Sequence, residues 1–136
     1  MSETHVLVER PQAQPGVMVI RFNRPEKKNA ITSDMYDRMT AALHEADNDA
    51  AVRAVAFLGT EGCFSAGNDM ADFLAYALSG GGRPAAADFL RALATCGKPM
   101  VSGVDGLAIG IGTTLNLHCD MTIASDRSLF RTPFVD

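Results

Sequence analysis

Short apolar runs recur along the chain and are separated by polar segments that contain proline, glycine or asparagine. Such runs predict buried strands, because strands are short and their side chains alternate between two faces. The segment from Pro11 to Gly16 predicts a hairpin turn between the first two strands. The predicted strands are Val6–Glu9, Val17–Phe22, Ala54–Leu58, Met100–Val104, Met121–Ile123 and Leu129–Arg131.

Other segments carry apolar residues at helical spacing. Apolar positions recur every three or four residues after Ser33, which predicts a helix capped by this serine and turned with one face toward a core. The apolar stripe consists of Met35, Met39, Leu43 and Ala46. A later helix is expected to carry Phe89, Leu90 and Leu93 on its apolar side. The further predicted helices are Met70–Leu78, Ala85–Ala94 and Thr113–His118.

Two glycine-bearing loops each follow a predicted strand and precede a predicted helix. We call Cys63–Asp69 the first glycine loop and Gly106–Gly112 the second glycine loop. The repeated order of strand, loop and helix predicts an α/β fold. Glycine lets a ligand approach the backbone, and the start of a helix presents unpaired N–H groups to an oxygen with negative charge. Two such donors that converge on one carbonyl oxygen would form an oxyanion hole.

Composition limits the classes of function. The chain has 136 residues, 47% of them hydrophobic, and a formal net charge of −4, which predicts one domain over residues 1–136. The negative charge argues against nucleic acid or an anionic membrane as partner. No apolar run spans a bilayer, and the N-terminus lacks a signal-peptide pattern. Three widely spaced cysteines predict reduced thiols in a cytoplasmic protein rather than disulfides or a metal site.

The second glycine loop also invites a dinucleotide-binding interpretation. Gly110-Ile111-Gly112 follows a strand, but the third glycine of the G-x-G-x-x-G pattern would fall at Leu115. This mismatch disfavours a nucleotide-binding site of that type.

Four motifs in order resemble those of the enoyl-CoA hydratase/isomerase (crotonase) family. Asn23–Ala30 is similar to the family's N-R-P-x-x-x-N-A segment, and Val52–Val55 to its V-R-x-V strand entry. Phe64–Asp69 resembles its F-[SA]-A-G-x-D loop. Lys98-Pro99, the second glycine loop and Cys119-Asp120 resemble its K-P…N-G-x-A-x-G-G-G…C-D run.

The resemblance implies a spiral of ββα turns that binds an acyl-CoA thioester. It covers the N-terminal half or so of the family domain, so the fold expected here is a crotonase-like α/β spiral truncated at the C-terminus. Coenzyme A would be part of the substrate, and no separate cofactor is expected. A homotrimer or hexamer is the assembly that the family implies for the full-length protein.

The same resemblance implies which residues form the site. The backbone N–H groups of Ala66 and Ile111 would hold the thioester oxygen. The positions implied to contact the acyl-CoA substrate are Lys27, Lys28, Ala30, Ala66, Gly67, Asn68, Asp69, Met70, Gly110, Gly112 and Thr114.

The chain departs from the family's hydratases at both of their glutamate positions. Thr114 and Phe134 stand there, and neither transfers a proton in that role. The preferred reaction is therefore isomerisation of 3-enoyl-CoA to 2-enoyl-CoA, whose single glutamate would lie beyond Asp136. Two alternatives stay open: hydration (a lyase reaction) with another acid/base set, and a CoA-binding or assembly module without catalysis.

Overall fold

A computed structural model describes residues 2–134 of the chain. The helices are α1 (Ser2–His5), α2 (Ser33–Asn48), α3 (Met70–Leu78), α4 (Ala85–Thr95) and α5 (Ile111–Thr114). The strands are β1 (Val6–Glu9), β2 (Val17–Phe22), β3 (Ala54–Leu58), β4 (Cys63–Ser65), β5 (Met100–Val104), β6 (Leu107–Ile109), β7 (Met121–Ala124) and β8 (Leu129–Arg131). Single 3-10 turns occupy Pro25–Lys27 and Leu115–His118.

The strands form two sheets that alternate along the chain. The larger sheet has the order β1-β2-β3-β5-β7, in which β1 and β2 are an antiparallel hairpin and the other pairs are parallel. The smaller sheet has the parallel order β4-β6-β8. Because a strand of the large sheet is followed by one of the small sheet and then by helix, the chain repeats ββα turns. This arrangement confirms the predicted α/β spiral.

One core lies between the large sheet and helices α2 and α4. Alternate residues of β2 and β3 are buried, as expected for strands that turn one face to a core. The predicted stripe of α2 is fully buried. The Phe89 ring of α4 packs edge-on against Phe57 and at a tilt against Tyr36. Within residues 2–134, no helix combines the length and the apolar character that crossing a membrane requires.

Three details differ from the sequence-based predictions. The N-cap of α2 is Thr32, whose hydroxyl accepts a hydrogen bond from the Met35 N–H at 3.3 Å, and not Ser33. Leu90 is 41% exposed, because it lies one residue away from the buried face of α4. The helix predicted from Thr113 begins at Ile111 and tightens into a 3-10 turn at Leu115.

Candidate active site

The two glycine loops contain strands and pack directly against each other. Strand β4 lies in the first loop and pairs in parallel with β6 in the second. A Cβ on Gly67 would lie 2.9 Å from the Ile109 carbonyl oxygen, and one on Gly112 would lie 2.5 Å from the Ser65 carbonyl oxygen. The backbones therefore approach at distances that only glycine permits.

Asn29 links the Asn23–Ala30 segment to the first loop. This side chain is completely buried, and its oxygen accepts a hydrogen bond from the Arg24 N–H at 2.7 Å. Its amide group donates to the Thr60 hydroxyl at 3.0 Å and to the carbonyls of Cys63 and Phe64 at 3.0 and 3.1 Å. Both its amide group and its oxygen are bonded within the protein, so Asn29 is a structural residue of the site.

An ion pair links the same segment to the end of the first loop. Arg24 donates to the Asp69 carboxylate at 2.8 Å and to the Ala30 carbonyl at 3.0 Å, and both charged side chains are only 14% exposed. The other carboxylate oxygen of Asp69 caps α3 by accepting from the Asp72 N–H at 2.8 Å. The hydrogen bond from Arg24 and the capping bonds hold the pKa of Asp69 below its ordinary value of 3.8.

The Ala66 N–H does not have the role that the sequence predicted. It donates to the Lys28 carbonyl at 2.9 Å, because left-handed backbone at Lys28 and Asn29 turns that carbonyl toward the first loop. An N–H engaged in this way is not free for a substrate oxygen. The prediction for Ala66 is therefore wrong in this structure.

Asn68 presents a free backbone donor nearby. Its two neighbours bind Ile31, since the Ile31 N–H donates to the Gly67 carbonyl at 2.8 Å and the Asp69 N–H donates to the Ile31 carbonyl at 2.9 Å. In such a parallel bridge the N–H of the central residue points to the opposite side. The Asn68 N–H has no acceptor in the part of the chain that the structure describes.

The second loop is fixed by β8. The Gly110 N–H donates to the Arg131 carbonyl at 2.9 Å, and the Thr113 hydroxyl donates to the Ala108 carbonyl at 2.6 Å. Ile111 follows Gly110 as the first residue of α5, and its N–H finds no acceptor among residues 2–134. Ile111 thus presents a free donor, and its role toward a thioester oxygen stays a prediction.

The remaining predicted positions differ in exposure, and Thr114 and Phe134 supply no carboxylate. Lys27 and Lys28 are exposed in the turn beside the first loop, and Met70 is 73% exposed at the start of α3. Thr114 is half-buried on α5, and Phe134 is 68% exposed, with its ring near the position of a Cβ on Gly110. Val135 and Asp136 lie outside the described residues.

A mainly apolar cleft adjoins Asn68 and was missed by sequence reasoning. It has a volume of about 170 Å³ and lies between α2, α3 and the start of α4. Tyr36 on α2 donates from its hydroxyl to the Asn68 side-chain oxygen. The Ser33 N–H and hydroxyl donate to the Asp72 carboxylate at 2.9 and 2.8 Å. These partners are more than thirty residues apart in sequence, so no local pattern predicts the contacts.

Comparisons with known proteins agree with this architecture. Residues 12–136 match the family model described as enoyl-CoA hydratase/isomerase. Enoyl-CoA delta isomerase 2 of Rattus norvegicus is 40% identical over 129 residues, which are 90% of this chain and 32% of the rat protein. A protein of Rhizobium meliloti named "Probable enoyl-CoA hydratase" is 36% identical over 136 residues, 98% of this chain and 51% of that protein.

A solved structure of Pseudomonas aeruginosa OdaA superposes with a TM-score of 0.87 at 40% identity. The match covers 96% of this chain and 51% of that one. The chain thus spans about half, or less, of the length of these relatives.

Proposed function

The chain belongs to the enoyl-CoA hydratase/isomerase family, and we propose that it binds an acyl-CoA thioester through the backbone N–H groups of Asn68 and Ile111. The free donors at these two residues are the observation that carries the proposal. Asn68 takes the role that the sequence suggested for Ala66, whose N–H is engaged with Lys28. Each donor of an oxyanion hole typically contributes about 2.7–4 kcal/mol of transition-state stabilisation.

The chemistry of an isomerase needs this pair of donors and a single base. The donors stabilise the negative charge that develops on the thioester oxygen when a proton leaves the acyl chain. One base can then move that proton between two carbons. We propose isomerisation of 3-enoyl-CoA to 2-enoyl-CoA, because Thr114 and Phe134 replace the two hydratase glutamates. The similarity to the rat isomerase supports this assignment.

Hydration is the second candidate, supported by the similarity to the Rhizobium protein named as a hydratase. It needs an acid/base pair other than residues 114 and 134. Incubation with a 3-enoyl-CoA and, separately, with a 2-enoyl-CoA distinguishes the reactions by NMR of the products. We expect no hydration of the 2-enoyl-CoA by the 136-residue chain, and clear turnover would contradict our interpretation of Thr114 and Phe134.

Lys27 and Lys28 are proposed to bind the phosphates of coenzyme A. They are exposed beside the first loop, and a phosphate group attracts such ammonium groups as point charges. The double variant Lys27→Gln/Lys28→Gln should weaken the binding of CoA in calorimetry, more at low salt than at high salt. The control Arg83→Gln/Arg91→Gln removes the same charge from α4 and the segment before it, and should leave the affinity unchanged. Equal effects of both variants would contradict the assignment.

We further propose that the full-length protein assembles as a homotrimer or hexamer, as the resemblance implies, and that it lies in the cytoplasm, as the cysteine content suggests. Exposed apolar residues on β7 and β8 support a contact surface there: Met121, Ile123, Leu129 and Phe130 are 41–68% exposed. Analytical ultracentrifugation of the full-length protein tests the assembly, and a monomer at all concentrations would contradict it.

A further inference from the structure

Helix α3 differs from the helices beside it in how it packs. Within the described residues, α2 and α4 bury six and three side chains, whereas α3 buries none. An apolar helix of a folded protein normally turns one face to a core. One face of α3, which carries Asp72, Phe73 and Tyr76 at spacings of three and four residues, lines the apolar cleft instead. The cleft thus lies where a core would be expected.

The surface that the cleft offers to a ligand is apolar, because its carboxylates and tyrosine hydroxyls are bonded within the protein. The Asp72 carboxylate accepts from the Ser33 N–H and hydroxyl at 2.9 and 2.8 Å, and the Asp69 carboxylate is held in its ion pair. The hydroxyls of Tyr36 and Tyr76 both donate to oxygens of the protein. Ring faces and aliphatic groups remain, and they favour an apolar occupant.

The size of the cleft limits what it can hold. Its volume of about 170 Å³ is close to that of an apolar cavity of about 150 Å³ that takes up benzene, so it fits a group of about six carbon atoms. Its wall on α3 extends from Asp69 to Tyr76, which is about 10 Å at the rise of an α-helix. This length is close to that of an extended octanoyl chain.

The cleft begins at a residue of the proposed thioester site. Asn68 lines it and also carries the free backbone N–H. We propose that the cleft binds the apolar end of the acyl chain and limits that chain to about eight carbons. The inference rests on the proposed function, because it places the thioester oxygen at the Asn68 N–H. Tyr76 lies two turns further along α3, so we assign it to the end of the chain.

Saturated acyl-CoA thioesters test the length limit, since they bind without a double bond that could react. Calorimetry gives the affinities for butanoyl-, octanoyl- and dodecanoyl-CoA relative to that for CoA. Burial of one methylene strengthens binding about fourfold, so octanoyl-CoA should bind more tightly than butanoyl-CoA by at least about tenfold. Dodecanoyl-CoA should bind no more tightly than octanoyl-CoA, because the cleft is then full.

Ala86→Leu tests where the chain lies. Ala86 lines the cleft at the start of α4, and leucine would take up room for about three methylenes, so the preference for octanoyl-CoA over butanoyl-CoA should fall about tenfold. The affinity for CoA should stay unchanged. The matched control is Ala87→Leu, since the next residue of the same helix does not line the cleft. Equal effects of both variants would overturn the proposal.

Tyr76→Ala gives a second test that adds no volume to the protein and applies even where Ala86→Leu fails to fold. It removes the ring at the far end and the bond to the Gly82 carbonyl. Dodecanoyl-CoA should then bind more tightly than octanoyl-CoA. Leu74→Ala is the control on the same helix, because Leu74 is 57% exposed and does not line the cleft. It should leave the length limit unchanged.

Infrared spectroscopy of bound butanoyl-CoA separates the two proposals, because its short chain reports on the N–H donors alone. If its carbonyl band keeps the frequency that it has in water, the proposed function fails and the length limit fails with it. If the band shifts but octanoyl-CoA binds no more tightly than butanoyl-CoA, the inference about the cleft alone is wrong. A preference for octanoyl-CoA that Ala86→Leu and Tyr76→Ala leave unchanged would place the chain elsewhere, which also overturns the inference.

Discussion

Polar side chains hold the first glycine loop in place, whereas close backbone packing holds the second. Asn29 and the Arg24–Asp69 ion pair reach the first loop from one neighbouring segment and are buried or nearly so. The second loop begins so close to the residue before the first loop that a Cβ on Gly106 would lie 2.0 Å from the Gly62 carbonyl oxygen. Its ion pair, between Asp105 and Arg127, lies at its entry and is more exposed.

The difference indicates that the two candidate donors depend on different physical effects. The position of Asn68 depends on buried hydrogen bonds and charge, which respond to side-chain deletion and to pH. The position of Ile111 depends on close backbone packing and on neutral hydrogen bonds such as that from Gly110 to Arg131, and neither involves a titrating group. The losses of stability caused by variants in the two regions should therefore differ in their pH dependence as well as in their size.

The largest effect is expected from Gly106→Ala. Gly106 has φ of +91°, and the three nearest atoms to the added Cβ all belong to the backbone of Gly62, so none can move aside cheaply. We expect the free energy of unfolding in urea to fall by about 4 kcal/mol or more, or the cooperative transition to disappear. The control is Gly80→Ala, which has φ of +85° and no atom within 4 Å of the added Cβ. It should cost only the conformational strain of about 1–2 kcal/mol, and equal losses would contradict the steric explanation.

Asn29→Ala should have the next largest effect and should act on the first loop alone. It leaves one buried N–H and several carbonyl or hydroxyl groups without their partner, so we expect a loss of about 3 kcal/mol. The exposed Asn48, which binds the His44 carbonyl, is the control, and Asn48→Ala should change stability by less than about 0.5 kcal/mol.

Hydrogen exchange can localise the effect of Asn29→Ala. The Ala66 N–H, which is bonded to Lys28, should lose protection, whereas the Gly110 N–H, which is bonded to Arg131, should keep it. If both amides lose protection equally, the two loops are not fixed independently, and the comparison between them breaks down.

Local patterns in the sequence predicted most of the fold but not the strands β4 and β6. The bounds of β2, β3, α3 and β5 follow from period-two alternation or helical spacing, which neighbouring residues determine. Strands β4 and β6 have three residues each and exist because they pair with each other across the two loops, so no local period marks them.

The site was predicted at the level of loops and not of atoms. The motif resemblance brought Lys28, Asn68, Asp69 and Ile111 into one region, as the structure does. It did not indicate which N–H is engaged, because the bond from Ala66 depends on left-handed backbone at Lys28 and Asn29, which lie far earlier in the chain. The same limit applies to Tyr36, whose contact arises only when α2 packs beside the first loop.

The smallest of the three effects is expected from Arg24→Met, which keeps the apolar stem but removes the charge beside Asp69. At pH 7 we expect a loss of about 1.5–3 kcal/mol in the free energy of unfolding, the value typical of a hydrogen bond to a charged group. The control is Arg83→Met, which breaks the exposed pair with Asp88 and should cost less than about 1 kcal/mol. A loss as small as that of the control would mean that the Arg24–Asp69 pair does not fix the first loop.

The pH dependence of this loss distinguishes the two regions most sharply. Arg24 holds the folded-state pKa of Asp69 below 3.8, so the pair contributes its full stability above that value and loses it as the pH falls through the folded-state pKa. The difference between wild type and Arg24→Met should therefore be constant from pH 7 to about pH 5 and shrink below about pH 4. At low pH the two proteins should still differ by the contribution of the hydrogen bond from Arg24 to the Ala30 carbonyl, which Arg24→Met also removes. The loss caused by Gly106→Ala has no titrating group at its origin, and urea unfolding should give the same value at both ends of this range. If the Arg24→Met difference did not decrease in acid, the first loop would be held by packing, as the second is.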